Sequence, residues 1–124
     1  MQTWEQTLSL PCGVSLPNRL ALAPMTNRQS HSDGTLGDDE LRWLVRRAAG
    51  GFGLISTCAA YVSDEGKAWD GQLGIASDAH LEGLTRLATE LHQYDACAIV
   101  QLHHAGAKAS MAPGPRLSLS LIHI

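Results

Sequence analysis

Nowhere is the chain apolar for the roughly 20 consecutive residues that a membrane-spanning helix needs. Cysteine is sparse: Cys12, Cys58 and Cys97 are three in number and lie far apart. With no CxxC pair, neither a disulfide framework nor a zinc knuckle is expected. No HxH or HExxH spacing occurs, so no metal site is expected. No cluster of Lys or Arg points to an acidic membrane surface, and nine basic against twelve acidic residues give a net charge of −3. That balance leaves no electrostatic footprint for nucleic acid or for an acidic membrane surface. The opening Met1-Gln2-Thr3-Trp4-Glu5 lacks the charged-then-apolar layout of a secretory signal. These absences predict a cytoplasmic protein with reduced thiols and no nucleic-acid or membrane partner. What is there is ordinary globular composition, 44% apolar and 17% charged, which excludes disordered and collagen-like classes. A length of 124 residues suits one domain and excludes several.

Residues 6–19 read as a hairpin, with Leu8, Leu10, Val14 and Leu16 apolar and Pro11-Cys12-Gly13 and Pro17-Asn18 as turn chemistry. Leu20-Ala21-Leu22-Ala23 is a short run apolar on both faces and ended by Pro24, which suits a strand buried on both sides. Residues 27–37 are polar, with a Ser32-Asp33-Gly34 loop signal. A helix follows. Asp38, Asp39 and Glu40 place negative charge at its start, Arg42, Arg46 and Arg47 come later, and Gly50-Gly51 ends it. Its buried stripe is Leu41, Leu44, Val45 and Ala48. Phe52 to Ile55 reads as a second strand and residues 61–76 as a loop. Ser77-Asp78 caps a second helix whose stripe is Leu81, Leu84, Ala88 and Leu91. Ala96 to Leu102 reads as a third strand. The order hairpin, β, α, β, α, β predicts an α/β fold with parallel pairing.

Each strand is expected to turn polar at its C-terminal end: Met25-Thr26-Asn27, Ser56-Thr57-Cys58, and Gln101 with His103-His104. In parallel α/β folds that edge is where ligands bind. Two readings are open: a polar ligand completes these groups, or Thr26 and Gln101 satisfy nearby backbone.

Three segments carry a resemblance. They are Pro17-Asn18-Arg19 leading to Ala23-Pro24-Met25-Thr26, then Arg47-Ala48-Ala49-Gly50-Gly51-Phe52-Gly53-Leu54-Ile55, then Gln101-Leu102-His103-His104-Ala105-Gly106. In this order and spacing, over about residues 8–110, they resemble the Old Yellow Enzyme family of NADH:flavin oxidoreductases. The segments Gly71-Gln72-Leu73-Gly74 and Leu81-Glu82-Gly83-Leu84 fall where similar members carry like segments. The resemblance implies a partial TIM (β/α)8 barrel: an N-terminal β-hairpin plus about the first three βα units of a fold that takes about 250 residues. Residues 1–110 are then the N-terminal part of an FMN-binding barrel, and 111–124 an irregular tail.

The resemblance also implies roles by position. Pro24 and Met25 bring backbone close to the flavin ring. Thr26 matches the residue that meets the flavin near its C4 carbonyl and N5 and tunes it, because a hydroxyl donor there stabilises the electron-rich reduced ring. Ala59 matches a small residue packed against the isoalloxazine. Gln101 matches the amide that bonds the pyrimidine edge, since one amide donates and accepts at once. The implied cofactor is FMN, reduced by NADH or NADPH, with an activated alkene or similar small molecule as hydride acceptor. Cys58 departs from the pattern, standing where many relatives have an acidic residue. So does Ala107, where the family often has Arg; the Lys108 that follows cannot reproduce a bidentate Arg contact. The catalytic and phosphate-binding residues of similar proteins lie downstream, so none is assignable here and the piece alone is expected to be inactive.

Several residues have a plainer reading beside the sharper one. His103 and His104 point to opposite faces of a strand and do not easily share a metal. His31, His80 and His92 read as solvated, Cys58 as a small buried residue rather than a redox thiol, and Cys12 and Cys97 as packing residues. Gly50-Gly51-Phe52-Gly53 follows a helix, the reverse of phosphate-loop order. Arg42, Arg46 and Arg47 read as a solvated face, and Trp69 as either a substrate-entrance residue or a surface anchor. Met111-Ala112-Pro113-Gly114-Pro115 breaks any element. Residues 119–124, Leu-Ser-Leu-Ile-His-Ile, look like a translated sequencing adapter, the alternative being a real short strand. The competing functional readings are a short non-catalytic α/β binding module and a flavin-free barrel enzyme.

Overall fold

The computed structural model describes residues 3–111 and 114–115, so most of the 111–124 tail, including the hexapeptide 119–124, lies outside the described residues. The chain opens with a hairpin. Strand β1 (Leu8–Ser9) pairs antiparallel with β2 (Ser15–Leu16), Leu8 opposite Leu16. Gly13, at φ +88°, makes the turn, and its N–H donates to the Leu10 carbonyl at 2.9 Å.

A three-stranded parallel sheet follows in the order β3 (Ala21–Leu22), β4 (Leu54–Tyr61), β5 (Cys97–His103). Helix α1 (Asp38–Ala49) connects β3 to β4, and α2 (Leu81–His92) connects β4 to β5. The two helices pack on each other and on β4 and β5. Leu41, Leu44 and Ala48 of α1 and Leu87 and Leu91 of α2 meet Ile55, Cys58 and Ala60 of β4 in one core. The expected hairpin-βαβαβ order is therefore present. Among the described residues β5 has a strand neighbour on one side only. Its Ile99 and Leu102 are exposed, as on a sheet that is part of a larger barrel.

Helix α1 ends as the glycine pair predicts. Gly51, at φ +95°, donates to Ala48 O at 2.9 Å, and Phe52 N donates to Arg47 O at 3.3 Å, the paired bonds of a Schellman motif. Asn18 ties that turn to the entry of β3. Its Nδ2 donates to Gly51 O at 2.7 Å, and its Oδ1 accepts from Leu20 N at 2.9 Å and Gly53 N at 3.1 Å. Arg47 does not belong to a wholly solvated face: it is half-buried over the Trp43 ring, 4.0 Å from its centroid.

Several expectations change. The second strand is not Phe52 to Ile55 but runs on to Tyr61, because Ser56, Thr57 and Cys58 are buried in mid-strand instead of ending it. Their polarity is absorbed locally: the Thr57 hydroxyl donates to Cys58 O at 2.7 Å, and Cys58 Sγ donates to Glu40 at 2.8 Å. The first strand is shorter than Leu20 to Ala23, spanning Ala21–Leu22, and the third is shifted by one residue to Cys97–His103. In α2 the stripe is Leu84, Leu87, Ala88 and Leu91, while Leu81 is 62% exposed in the first turn. His80 is not solvated but 5% exposed, and Cys12 is exposed, not packed.

Candidate functional site

The three parallel strands put their C-terminal ends at one edge, and every sequence-identified residue lies there. Pro24, Met25 and Thr26 follow β3 after Ala23 and are exposed, Met25 by 48%. Ala59 sits on β4, buried, and its register partner on β5 is Gln101, whose residue is exposed. Ala59 and Gln101 are thus side by side. Pro24–Thr26 share their end of the sheet through β3, which pairs with the start of β4 at Leu22 and Ile55.

A bulge sets which way Ala59 faces. Ser56 pairs with Ile99 and Ala59 with Gln101, so Thr57 and Cys58 together oppose Val100 alone. Ile55 faces the helices; simple alternation then sends Thr57 and Ala59 the same way. With the extra residue, Cys58 and Ala60 join the helix-side core instead, and Ala59 turns to the opposite face. The bond lost at the bulge is replaced by Gln101 N–H donating to the Thr57 hydroxyl at 3.3 Å.

Sequence reasoning missed Gln72, which the loop between β4 and α2 inserts behind this pair. It is fully buried. Its Oε1 accepts from Ala68 N at 2.8 Å, and its Nε2 donates to Ala59 O at 2.9 Å and lies 3.2 Å from His103 Nδ1. The same loop carries Trp69, half-buried, whose indole donates to Asn27 O at 2.8 Å and whose ring lies 5.7 Å from that of His103. Trp69 is therefore a strut between two segments of the edge. His104 faces elsewhere, its Nδ1 accepting from Gly106 N at 3.0 Å.

The loops are held by a second cluster. The Tyr61 hydroxyl donates to Asp33 O at 2.9 Å and lies 3.3 Å from His80 Nε2. Burial, and then the charges of Asp64 and Asp33, push the Tyr61 phenol above its ordinary range. Lys67, buried, donates to Ser32 O. Gly34 packs so tightly against the Tyr61 ring, at φ +86°, that no side chain fits there.

Beneath the edge, Glu40 is fully buried in the first turn of α1, where the helix N-terminus favours a carboxylate. Ser30 Oγ donates to its Oε2 at 2.6 Å and Cys58 Sγ to its Oε1 at 2.8 Å. Burial first, then the Glu40 charge, pushes the Cys58 thiol far above its ordinary value of 9.0. Cys58 is therefore a protonated donor, not a nucleophile. Protonation is favoured in the fold, so the contribution to stability is complete below the ordinary thiol value and is lost as pH rises above it. We expect the unfolding free energy to fall by up to about 1.4 kcal/mol per pH unit from about pH 9. Urea titrations from about pH 8 to about pH 10 check this. Cys58→Ser, which keeps a donor but does not ionise, should flatten the slope; equal slopes in the two proteins would refute the assignment.

A sequence model of the NADH:flavin oxidoreductase / NADH oxidase family matches residues 12–119. The chain is 40% identical over 94 residues to a protein of Bacillus subtilis strain 168 named "Probable NADH-dependent flavin oxidoreductase YqiG", covering 76% of this chain and 25% of the relative. It is 38% identical over 100 residues to an NADPH dehydrogenase of Bacillus licheniformis, covering 80% of this chain and 30% of that protein. Among solved structures it resembles a 2-naphthoyl-CoA reductase complex (TM-score 0.83, 28% identity, 87% of this chain and 16% of that one). It also resembles morphinone reductase in complex with tetrahydroNAD (TM-score 0.79, 27% identity, 88% and 29%). These likenesses establish the partial (β/α)8 barrel, and the chain spans 25% and 30% of the two curated relatives' length.

Proposed function

Because the chain belongs to the NADH:flavin oxidoreductase / NADH oxidase family, we propose that residues 1–110 form the N-terminal part of an FMN-binding barrel and that this strand edge is one side of its cofactor site. The observation that carries the reading is the register pair Ala59–Gln101 at the same sheet end as the exposed Pro24–Thr26. The residues present suit a flat, amide-edged ring. Ala59 adds only a methyl group to the face on which the bulge places it, and Gln101 brings an exposed amide beside it.

In this reading the Gln101 amide donates and accepts along the pyrimidine edge, where carbonyl and N–H groups alternate. The Thr26 hydroxyl donates beside the C4 carbonyl. Pro24 and Met25 lay backbone along the ring, and Ala59 keeps the ring's place clear. When bound, FMN supplies hydride transfer from NADH or NADPH to an activated alkene or similar small-molecule acceptor. The groups that bind the flavin phosphate, and those that complete the acceptor site, belong to parts of a barrel beyond these strands. Residues 1–124 alone are therefore inactive.

Purification of the complete barrel protein tests the reading. It should carry FMN and oxidise NADH or NADPH when an α,β-unsaturated carbonyl compound is added, whereas residues 1–124 alone should show no turnover. A complete protein that purifies without flavin and cannot be loaded with FMN would sink it. Gln101→Ala, which removes the amide, should raise the FMN dissociation constant about tenfold, the worth of about one good hydrogen bond. Flavin fluorescence titration reads this directly.

A further inference from the structure

The hydrogen bonds of Gln72 determine where His103 carries its proton. Gln72 Oε1 accepts from Ala68 N–H at 2.8 Å, so its amide nitrogen is the atom facing Ala59 O at 2.9 Å and His103 Nδ1 at 3.2 Å. The reverse assignment sets carbonyl against carbonyl at Ala59 and N–H against N–H at Ala68. An amide nitrogen has two hydrogens. One goes to Ala59 O, and the other points at His103 Nδ1. That ring nitrogen must then be a bare acceptor, and the ring hydrogen must sit on Nε2.

The place of His103 gives that hydrogen a use. Gln101 and His103 are two apart on β5, with the register unbroken through Ala59–Gln101, Ala60–Leu102 and Tyr61–His103, so both side chains stand on the face that carries Ala59. His103 is one step of about 6–7 Å further out along the strand than the amide read as the ring contact. Trp69, its centroid 5.7 Å from that of His103, and Gln72, at Nδ1, fix the ring plane. Among the described residues Nε2 takes no partner of its own, and no buried side-chain nitrogen or oxygen lacks one, so Nε2 is accessible.

We propose that Gln72 is a positioning residue that holds His103 as the neutral Nε2–H tautomer, and that His103 is a specificity-determining donor to an oxygen, carbonyl or carboxylate, of the hydride-accepting substrate. The substrate half rests on the reading of this edge as the flavin site; the tautomer half does not. No proton is transferred. The Nε2–H group donates a hydrogen bond that selects acceptors with an oxygen in reach.

Two measurements on the complete flavin-loaded protein decide it. Long-range 1H–15N correlation of the histidine rings should show His103 with its hydrogen on Nε2. In Gln72→Glu, which sets an acceptor in place of the donor, the hydrogen should move to Nδ1 or the ring should become charged. An Nδ1–H ring in the unsubstituted protein overturns the positioning role, even if the variant fails to fold. Second, His103→Phe keeps a ring against Trp69 but has no donor. It should raise KM for an oxygen-bearing acceptor about tenfold. KM for an activated alkene that offers no oxygen, such as an α,β-unsaturated nitrile, should rise less. An unchanged KM for the oxygen-bearing acceptor, or an equal rise for both acceptors, overturns the specificity role. If the complete protein holds no flavin, the substrate half falls together with the proposed function, and the ring spectrum still decides the tautomer.

Discussion

Replacing Glu40 with alanine should lower the unfolding free energy by about 3 kcal/mol, a large fraction of the stability of most domains. The carboxylate is fully buried and receives two donors, Ser30 Oγ at 2.6 Å and Cys58 Sγ at 2.8 Å. Removing it leaves both buried donors without their acceptor and opens a cavity in the core that Leu41 and Leu44 of the same helix belong to. The effect is larger than that of deleting either donor alone, because each donor removed leaves Glu40 its other bond. A triple change, Ser30→Ala with Glu40→Leu and Cys58→Ala, should recover much of the loss, since it removes the polar groups together. Urea unfolding of the unsubstituted protein, Glu40→Ala, the three single changes and the triple variant measures this. A triple variant as unstable as the sum of its parts would show that the three groups do not act as one network.

The sequence reveals the elements whose signals are local. The Gly50-Gly51 terminator of α1 and the helical spacing of Leu41, Leu44 and Ala48 all lie within a few residues of what they control, and the structure follows them. The resemblance places Pro24–Thr26, Ala59 and Gln101, and the parallel pairing brings the last two together. What sequence reasoning misses is nonlocal. Ser56-Thr57-Cys58 reads as a polar strand end because nothing nearby announces that Glu40, 18 residues earlier, receives the Cys58 thiol. The bulge that turns Ala59 has no glycine to mark it. His80 reads as a solvated helix residue because its partners, Tyr61 and Asp33, lie 19 and 47 residues away. Gln72 is one polar residue in a loop, and only the fold shows its amide bonded to two strands at once. A usable signal did exist for Glu40. It stands one position before Leu41, on the flank of the apolar stripe, and a carboxylate there enters the interior unless the helix rotates.

The bulge makes Ala59 the position at which size should matter most for the cofactor. Simple alternation from Ile55 would send its side chain into the helix-side core, where a larger residue would cost stability. The observed register puts Cys58 and Ala60 there instead and leaves Ala59 on the face it shares with Gln101 and His103. Ala59→Phe in the complete protein should therefore weaken FMN binding about 10- to 100-fold, the equivalent of the about 1–3 kcal/mol that overpacking costs. The parallel sheet should persist, because Ala59 N–H and C=O make their bonds whatever the side chain. Ala59→Gly should bind flavin nearly as well as the unsubstituted protein. Flavin content on purification, Kd by fluorescence titration and far-ultraviolet circular dichroism together separate the two effects. A folded Ala59→Phe protein with full flavin occupancy would mean that the ring does not lie against β4 and that the cofactor site is elsewhere. Loss of both fold and flavin would mean that Ala59 faces the helices and that the bulge does not turn it.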